Sequence, residues 1–164
     1  EGAYSELRMK SALANVPRTY DIVLIDCPPS LGELTRNALS ASDAALVVTE
    51  PGYFALHGAQ QAVEAVDVIR SSTNPAIRTS TILMNRARTT VAEHRMRIQE
   101  LQDAFGSLVS PVMVPERNAI PQSEGAGIPI HAWDSPAGRE LSGVFDQLLD
   151  QLLYPFGRAV REYP

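Results

Sequence analysis

The chain has 164 residues, of which 45% are hydrophobic and 20% charged, as is typical of one globular domain with its own core. The formal net charge of -5 argues against nucleic-acid binding over the whole surface, so such binding would need a local basic patch. The single cysteine, Cys27, excludes an internal disulfide and a CxxC zinc site. No apolar run reaches the roughly 18 residues of a membrane span, and no signal peptide is visible, so we expect a cytoplasmic protein.

The hydrophobic pattern predicts a helix over residues 4–15, where apolar side chains recur at helical spacing. Residues 20–26 follow with four consecutive apolar residues, a run that predicts a strand buried on both faces of a parallel sheet. Two prolines make residues 27–32 a loop, and residues 33–41 form the next predicted helix.

The same alternation continues along the rest of the chain. Further strands are predicted over residues 44–49, 79–84 and 108–114. Further helices are predicted over residues 56–70, 91–105 and 137–153. Thr90 with Glu93 predicts a capping box at the start of the second of these helices, and a long loop is expected up to Trp133. Strands alternating with helices predict one α/β domain, residues 1–164, with a mainly parallel sheet.

Ligands of such folds bind beyond the carboxyl ends of the strands. The segments to inspect are therefore residues 26–32, 50–54, 85–90 and 115–127. Asp26 is the strongest single position, because a carboxylate at the end of an apolar strand is costly unless it is solvated, paired or bound to a cation. It fits a Walker-B-type aspartate that holds Mg²⁺ through water, or a strand-end residue that caps the following turn.

Residues 20–32, YDIVLIDCPPSLG, closely resemble the Walker B region of ParA/Soj-type partitioning ATPases, the deviant Walker A NTPases that include MinD. The resemblance continues through Ala87-Arg88-Thr89 to residues 127–130 and covers the chain from about residue 4. It implies a P-loop NTPase-like α/β fold with a parallel sheet flanked by helices. The family's P-loop needs two lysines, whereas Lys10 is the only lysine here. We therefore interpret the chain as the C-terminal portion of a ParA-like protein, without the P-loop strand and helix.

The resemblance also implies roles for the loop after the predicted strand. Asp26 matches the family's Mg²⁺ aspartate, which acts through water. Pro28, Pro29, Ser30 and Gly32 match the loop that senses the γ-phosphate and shapes the dimer interface. In P-loop folds the strand before the P-loop lies beside the Walker B strand, so without it residues 22–25 should expose an apolar edge that favours association.

Three further positions resemble the family's base-binding residues. Asn85 matches the base-binding Asn of MinD-like relatives, with a simple turn residue as the alternative. Pro115 and Arg117 fall where a Pro-Arg segment lines the adenine site, although Glu116 is inserted between them. A surface salt bridge is the alternative role of Arg117.

Residues 70–97 contain six arginines and one acidic residue, a net charge of +5 within an acidic chain. Local cations attract phosphate, and ParA relatives bind DNA non-specifically through basic residues. Arg88, which lies in the Ala-Arg-Thr match, is our first candidate for DNA contact, followed by Arg86, Arg95 and Arg97. A solvated arginine-rich helix face is the alternative.

The resemblance implies an intact protein that binds ATP and Mg²⁺, forms a homodimer when ATP-bound, binds DNA non-specifically and hydrolyses ATP slowly under stimulation by a ParB-like partner. We expect it in the cytoplasm, associated with the nucleoid, and expect this chain alone to be inactive without a Walker A lysine. The alternatives are a P-loop-less module that binds DNA or a partner, a MinD-like positioning ATPase and an exopolysaccharide regulator.

The last predicted helix argues against membrane binding. Its apolar residues form a stripe over Leu148, Leu149, Leu152, Leu153 and Phe156. The opposite side is acidic, whereas a membrane-surface helix presents Lys or Arg there. We therefore expect a core helix.

Overall fold

The computed structural model describes residues 7–16 and 20–154. Its helices are α1 (Arg8–Ala14), α2 (Glu33–Ala41), α3 (Ala55–Arg70), α4 (Ala92–Phe105), α5 (Ala119–Gly125) and α6 (Pro136–Leu153). Its strands are β1 (Ala44–Thr49), β2 (Arg78–Ala87) and β3 (Val109–Pro115). Within these residues no helix combines the length and apolarity that crossing a membrane requires.

The strands form a three-stranded parallel sheet in the order β1-β2-β3, flanked by helices, which confirms the predicted α/β class. In the parallel pairing of β2 with β3, Ile82 lies opposite Val109 and Met84 opposite Met113. An advance of two residues along β2 therefore corresponds to four residues along β3. This irregularity in the strand pairing falls where Pro111 interrupts β3. Proline has no N–H to give to the ladder, so an edge strand with a bulge is where it is tolerated.

The chain divides into two compact units, and the first comprises Glu1–Val47 and His57–Ser80. Its described core brings together apolar side chains of α2, α3 and the segment before β2, namely Leu39, Val66, Ile69 and Ile77. The buried side chain of Asn74 donates to the carbonyls of Leu39 (3.0 Å) and Ser42 (2.7 Å). Both carbonyls lie at the C-terminal end of α2, where helical acceptors lack a partner within the helix.

The second unit comprises Val48–Leu56 and Thr81–Pro164. Its core joins β2, β3, α5 and α6 through Leu83, Val114, Ala119, Leu141 and Leu148. The prediction of α6 as a core helix is thus confirmed over Pro136–Leu153, while Phe156 lies outside the described residues.

The start of α6 follows from its local sequence. Ser135 is the N-cap and accepts a hydrogen bond from the backbone of Gly138 at 2.9 Å, and Pro136 occupies the first helical position. A Cβ on Gly138 would collide with the carbonyl oxygen of Trp133, so this position requires glycine. The turn before α6 therefore brings the Trp133 carbonyl close to the first turn of the helix.

The predicted strand over residues 20–26 is wrong: residues 22–28 lie in no strand or helix. Ile22, Val23 and Leu24 are 42%, 58% and 87% exposed, so the run is not buried either. A strand forms only when a neighbour takes up its N–H and C=O groups, and this segment pairs with none of the three strands of the described sheet. The exposure of apolar side chains expected at residues 22–25 is confirmed for these three residues.

Two smaller predictions are also wrong. Thr90 does not cap α4, because residues 88–91 form a turn closed by a bond from Val91 N to the Arg88 carbonyl, which makes Val91 the N-cap. The region before Trp133 is not one long loop, since it contains α5 and a short 3-10 turn over Ile130–Ala132. With seven residues, α5 is too short to show a helical period.

Candidate functional site

The loop from Asp26 to Gly32 lies in the first unit and meets the N-terminus of α2. Gly32 is the N-cap of α2, and its carbonyl accepts from the backbone of Arg36 at 3.0 Å. The Thr35 hydroxyl donates to the carbonyl of Ser30 at 2.6 Å. Asp26, Pro29 and Ser30 are exposed. The loop is thus tied to the helix at its C-terminal end, while its predicted functional side chains face solvent.

The exposed carboxylate of Asp26 suits one mode of magnesium binding. Mg²⁺ keeps several waters and takes one or two protein carboxylates together with substrate phosphates. Within the described residues no three His, Cys, Asp or Glu side chains converge on one point. Burial, and then the charge of Asp26, raise the pKa of the neighbouring Cys27 thiol, which disfavours the thiolate that a nucleophile needs.

The ends of the three strands bring opposite charges together in the second unit. Arg86, near the end of the central strand β2, donates to Glu116 Oε1 at 3.0 Å and to Glu50 Oε1 at 3.4 Å. Glu50 follows β1 and Glu116 follows β3. These residues line a cleft of about 210 Å³ together with Pro51, Gly52, Arg88 and His94.

Glu116 receives a second arginine on its other oxygen, since Arg88 Nε donates to Oε2. The hydrogen bonds from Arg88 and Arg86 lower the pKa of the Glu116 carboxyl, and the Glu116 bond raises the pKa of Arg86. The backbone N–H groups of Glu116 and Arg88 are also bonded: Glu116 N donates to the Ala87 carbonyl at 3.2 Å, and Arg88 N donates to the side chain of His94 at Nδ1, at 3.1 Å. The cleft therefore contains a carboxylate held between two guanidinium groups.

Arg86 also has an unusual backbone. Its φ of 53° is the one positive value at a non-glycine residue in the part of the chain that the structure describes. The left-handed region costs an L-residue on the order of 1 kcal/mol, and such positions concentrate at functional sites. The conformation places the Arg86 side chain between the two glutamates.

The two remaining candidate arginines, Arg95 and Arg97, lie on α4 in the same unit. Arg95 is exposed and donates to the Thr89 carbonyl at 2.8 Å, and it pairs with no acidic side chain among residues 7–16 and 20–154. Arg97 is only 16% exposed, bonds to Glu100 at 3.0 Å and lies 5.2 Å from the ring centre of Tyr53. The guanidinium of Arg95 is thus accessible to a ligand, while that of Arg97 already contacts Glu100 and Tyr53.

The predicted base-binding residues lie at the ends of β2 and β3, where Pro115 is paired with Ala87. Asn85 is half-buried in β2. Arg117 makes a two-point ion pair with Glu140 of α6, which raises the pKa of Arg117 and lowers that of Glu140. The surface salt bridge that the sequence left as the alternative role of Arg117 is therefore present.

Glu50 and Glu116 are the site residues that the sequence did not identify as partners of the arginines. Both follow predicted strands and lie in predicted ligand-binding segments, residues 50–54 and 115–127. The missing information was the strand order, which places the ends of β1 and β3 on either side of β2. Charged residues directly after neighbouring parallel strands are the signal that could have found them.

Comparison with known proteins adds independent information. A family model described as an AAA domain matches residues 1–79. The chromosome partitioning protein ParA of Myxococcus xanthus is 34% identical over 131 residues, which are 79% of this chain and 46% of the relative. The sporulation initiation inhibitor protein Soj of Bacillus subtilis is 34% identical over 131 residues, 79% of this chain and 51% of the relative.

A solved structure agrees with the fold. The crystal structure of cobyrinic acid a,c-diamide synthase from Mycobacterium smegmatis with bound ADP and magnesium matches with a TM-score of 0.68 at 26% identity, covering 99% of this chain and 59% of that one. The chain spans about half the length of the curated relatives that it matches.

Proposed function

We propose, because the chain belongs to the ParA/Soj family of partitioning ATPases, that it forms part of an ATPase acting in chromosome or plasmid partitioning. The observation that carries this proposal is the 34% identity over 79% of the chain to a chromosome partitioning protein. The family's P-loop NTPase class agrees with the parallel sheet and its flanking helices. The intact protein would act in the cytoplasm, in association with the nucleoid.

ATP and Mg²⁺ are the cofactors that this function requires, and the solved structural relative binds ADP and magnesium. When bound, Mg²⁺ would neutralise charge on the phosphates during phosphoryl transfer. Asp26 would hold the ion through water, as its exposed carboxylate permits. Pro29, Ser30 and Gly32 would line the γ-phosphate side of the site.

The base of the nucleotide would lie at the ends of β2 and β3. Asn85 would contact the adenine by its amide, and Pro115 would pack against the ring. Arg117 would have to share its guanidinium between the base and Glu140, since its Nε and NH2 groups both donate to that carboxylate.

Non-specific DNA binding by an ATP-bound homodimer, with hydrolysis stimulated by a ParB-like partner, completes the proposal. The arginines of the second unit would supply the cations. Arg88 is 58% exposed and Arg86 57% exposed, so a phosphate can reach both. Arg95 is exposed on the neighbouring helix, whereas Arg97, at 16% exposure, is the weakest of the four candidates.

A second candidate is a binding module without ATP turnover. Within these 164 residues Lys10 alone cannot provide the two lysines of the family's phosphate site. Both candidates predict that the protein binds DNA. They differ for a version extended upstream of Glu1, which hydrolyses ATP under the first candidate and does not under the second.

Charge reversal at Arg88 tests the DNA assignment in that extended version. We expect Arg88→Glu to weaken binding to a labelled duplex by about tenfold and to lower the salt slope by about 1 or more, measured by fluorescence anisotropy, with ATP turnover unchanged. Arg139→Glu is the matched control, because Arg139 is an exposed arginine of the same unit that pairs with Asp134. Equal DNA affinity in the two variants would contradict the assignment.

A further inference from the structure

Glu116 stands between Arg86 and Arg88 as a bound oxyanion would. We infer that these two arginines form a binding site for a phosphate group and that Glu116 closes this site by occupying it. The inference rests on the proposed function, because it takes a DNA phosphate as the ligand. It adds a regulatory role for a residue that the family resemblance had identified only as an insertion.

The geometry of the contact supports this role. Arg86 NH2 binds Oε1 at 3.0 Å and Arg88 Nε binds Oε2, so each carboxylate oxygen has its own guanidinium. Arginine binds carboxylate and phosphate in the same way, through two oxygens carried on one central atom. A phosphate can therefore take over both bonds without a change in either arginine.

The site is exposed enough to exchange its ligand. Glu116 is 27% exposed, and both arginines are more than half exposed. Ion pairs at such positions add little to the stability of a protein, because water screens them. A DNA phosphate competes well at that level, since its binding also releases counterions from the duplex.

The two arginines differ in what they keep when Glu116 is removed. Arg86 still has Glu50 at 3.4 Å. Arg88 has no other acidic partner in the described part of the chain. The cation that loss of the Glu116 carboxylate makes available is therefore Arg88, and a gain in phosphate binding must depend on it.

Glu116→Gln in the version extended upstream of Glu1, with ATP and Mg²⁺ present, tests the inference, with a labelled DNA duplex followed by anisotropy and inorganic phosphate followed by NMR. We expect DNA affinity to rise by about two- to fivefold and the salt slope to steepen by about 1. Asp103→Asn controls for the same change of charge, because Asp103 lies exposed on α4 and accepts a hydrogen bond from Gln99. Adding Arg88→Gln should abolish the gain, and adding Arg95→Gln should preserve it.

The inference makes two claims: Glu116 closes the arginine site, and the ligand of that site is a DNA phosphate. A gain in phosphate binding without a gain in DNA binding supports the closed site and contradicts its assignment to DNA. No gain over Asp103→Asn with either probe overturns the inference, even where Arg88→Glu still weakens DNA binding. A gain that survives Arg88→Gln also overturns it. Thermal unfolding checks that the variant is folded, and Glu116→Ala, with the same expected direction, replaces it if Gln destabilises the chain.

Discussion

Arg117 and Glu140 form a two-point ion pair in which Nε donates to Oε2 at 2.8 Å and NH2 donates to Oε1 at 2.7 Å. The pair connects the segment after β3 to α6 within the second unit. Arg117 also donates from NH1 to the backbone carbonyl of Glu116 at 3.0 Å. The same side chain thus orders the residue that closes the arginine cleft.

The pH dependence of this pair is the first prediction. Arg117 lowers the pKa of Glu140 in the folded chain, so the stabilisation is present above the ordinary glutamate pKa of about 4.3 and is lost as pH falls through the lowered value. We expect Glu140→Gln to reduce the free energy of unfolding by about 0.5 kcal/mol at neutral pH, a small value because both side chains are at least 40% exposed.

Urea unfolding at neutral pH and at about pH 3 provides the measurement, and the difference from the unmodified chain should shrink at the lower pH. Glu64→Gln is the control, since Glu64 lies exposed on α3 and accepts a hydrogen bond from Gln60. The same deficit for Glu140→Gln at both pH values would refute the ion-pair explanation.

Asn74 provides the second prediction, which concerns the first unit. Asn74→Ala removes the side-chain donor of two carbonyls at the end of α2, so the Ser42 carbonyl loses this bond and the Leu39 carbonyl keeps the bond from Ser42 N at 3.3 Å. We expect a loss of about 1–3 kcal/mol in the free energy of unfolding, measured by chemical denaturation. Asn15→Ala removes an exposed bond to the Ser11 carbonyl and should cost less than about 0.5 kcal/mol. Equal losses would show that Asn74 does not act through the α2 end.

The exposed apolar segment gives the third prediction. Leu24 is 87% exposed beside Val23 and Ile22, and contiguous apolar side chains of this kind promote association. We expect Leu24→Ser to raise the monomeric fraction, measured by size exclusion with light scattering, with little change in stability. Val68→Ser is the control, because Val68 is also exposed, at 60%, but lies alone on α3. An unchanged or larger association of Leu24→Ser would argue against this segment as the contact.

The sequence predicts the fold best where local signals suffice. The bounds of α2 and β1 agree with the structure because turn residues mark both ends of each element. The strand expected over residues 20–26 fails for a non-local reason, since its residues favour extended backbone but find no neighbouring strand in the described sheet. Helix α5 is not predicted because Pro121 and Gly125 are typical of loops, whereas tertiary packing makes these seven residues helical.

The candidate site shows the same division. The arginine-rich window identifies Arg86 and Arg88 without any structure. Their pairing with Glu116 depends on the adjacency of β2 and β3, which no local pattern encodes. Nothing in the sequence indicates the positive φ of Arg86 either, because arginine has no preference for that conformation.

The central claim is that this chain is part of a partitioning ATPase. Isothermal titration calorimetry of ATP binding to the protein, in the presence and absence of Mg²⁺, tests this claim most directly. The titration compares the 164-residue chain with a version extended upstream of Glu1, and Asp43→Asn serves as the exposed-carboxylate control for Asp26→Asn. We expect no measurable binding to the 164-residue chain, saturable binding to the extended version, and a loss of magnesium dependence in Asp26→Asn alone. Absence of binding to the extended version, or equally tight binding to the 164-residue chain, would contradict the account.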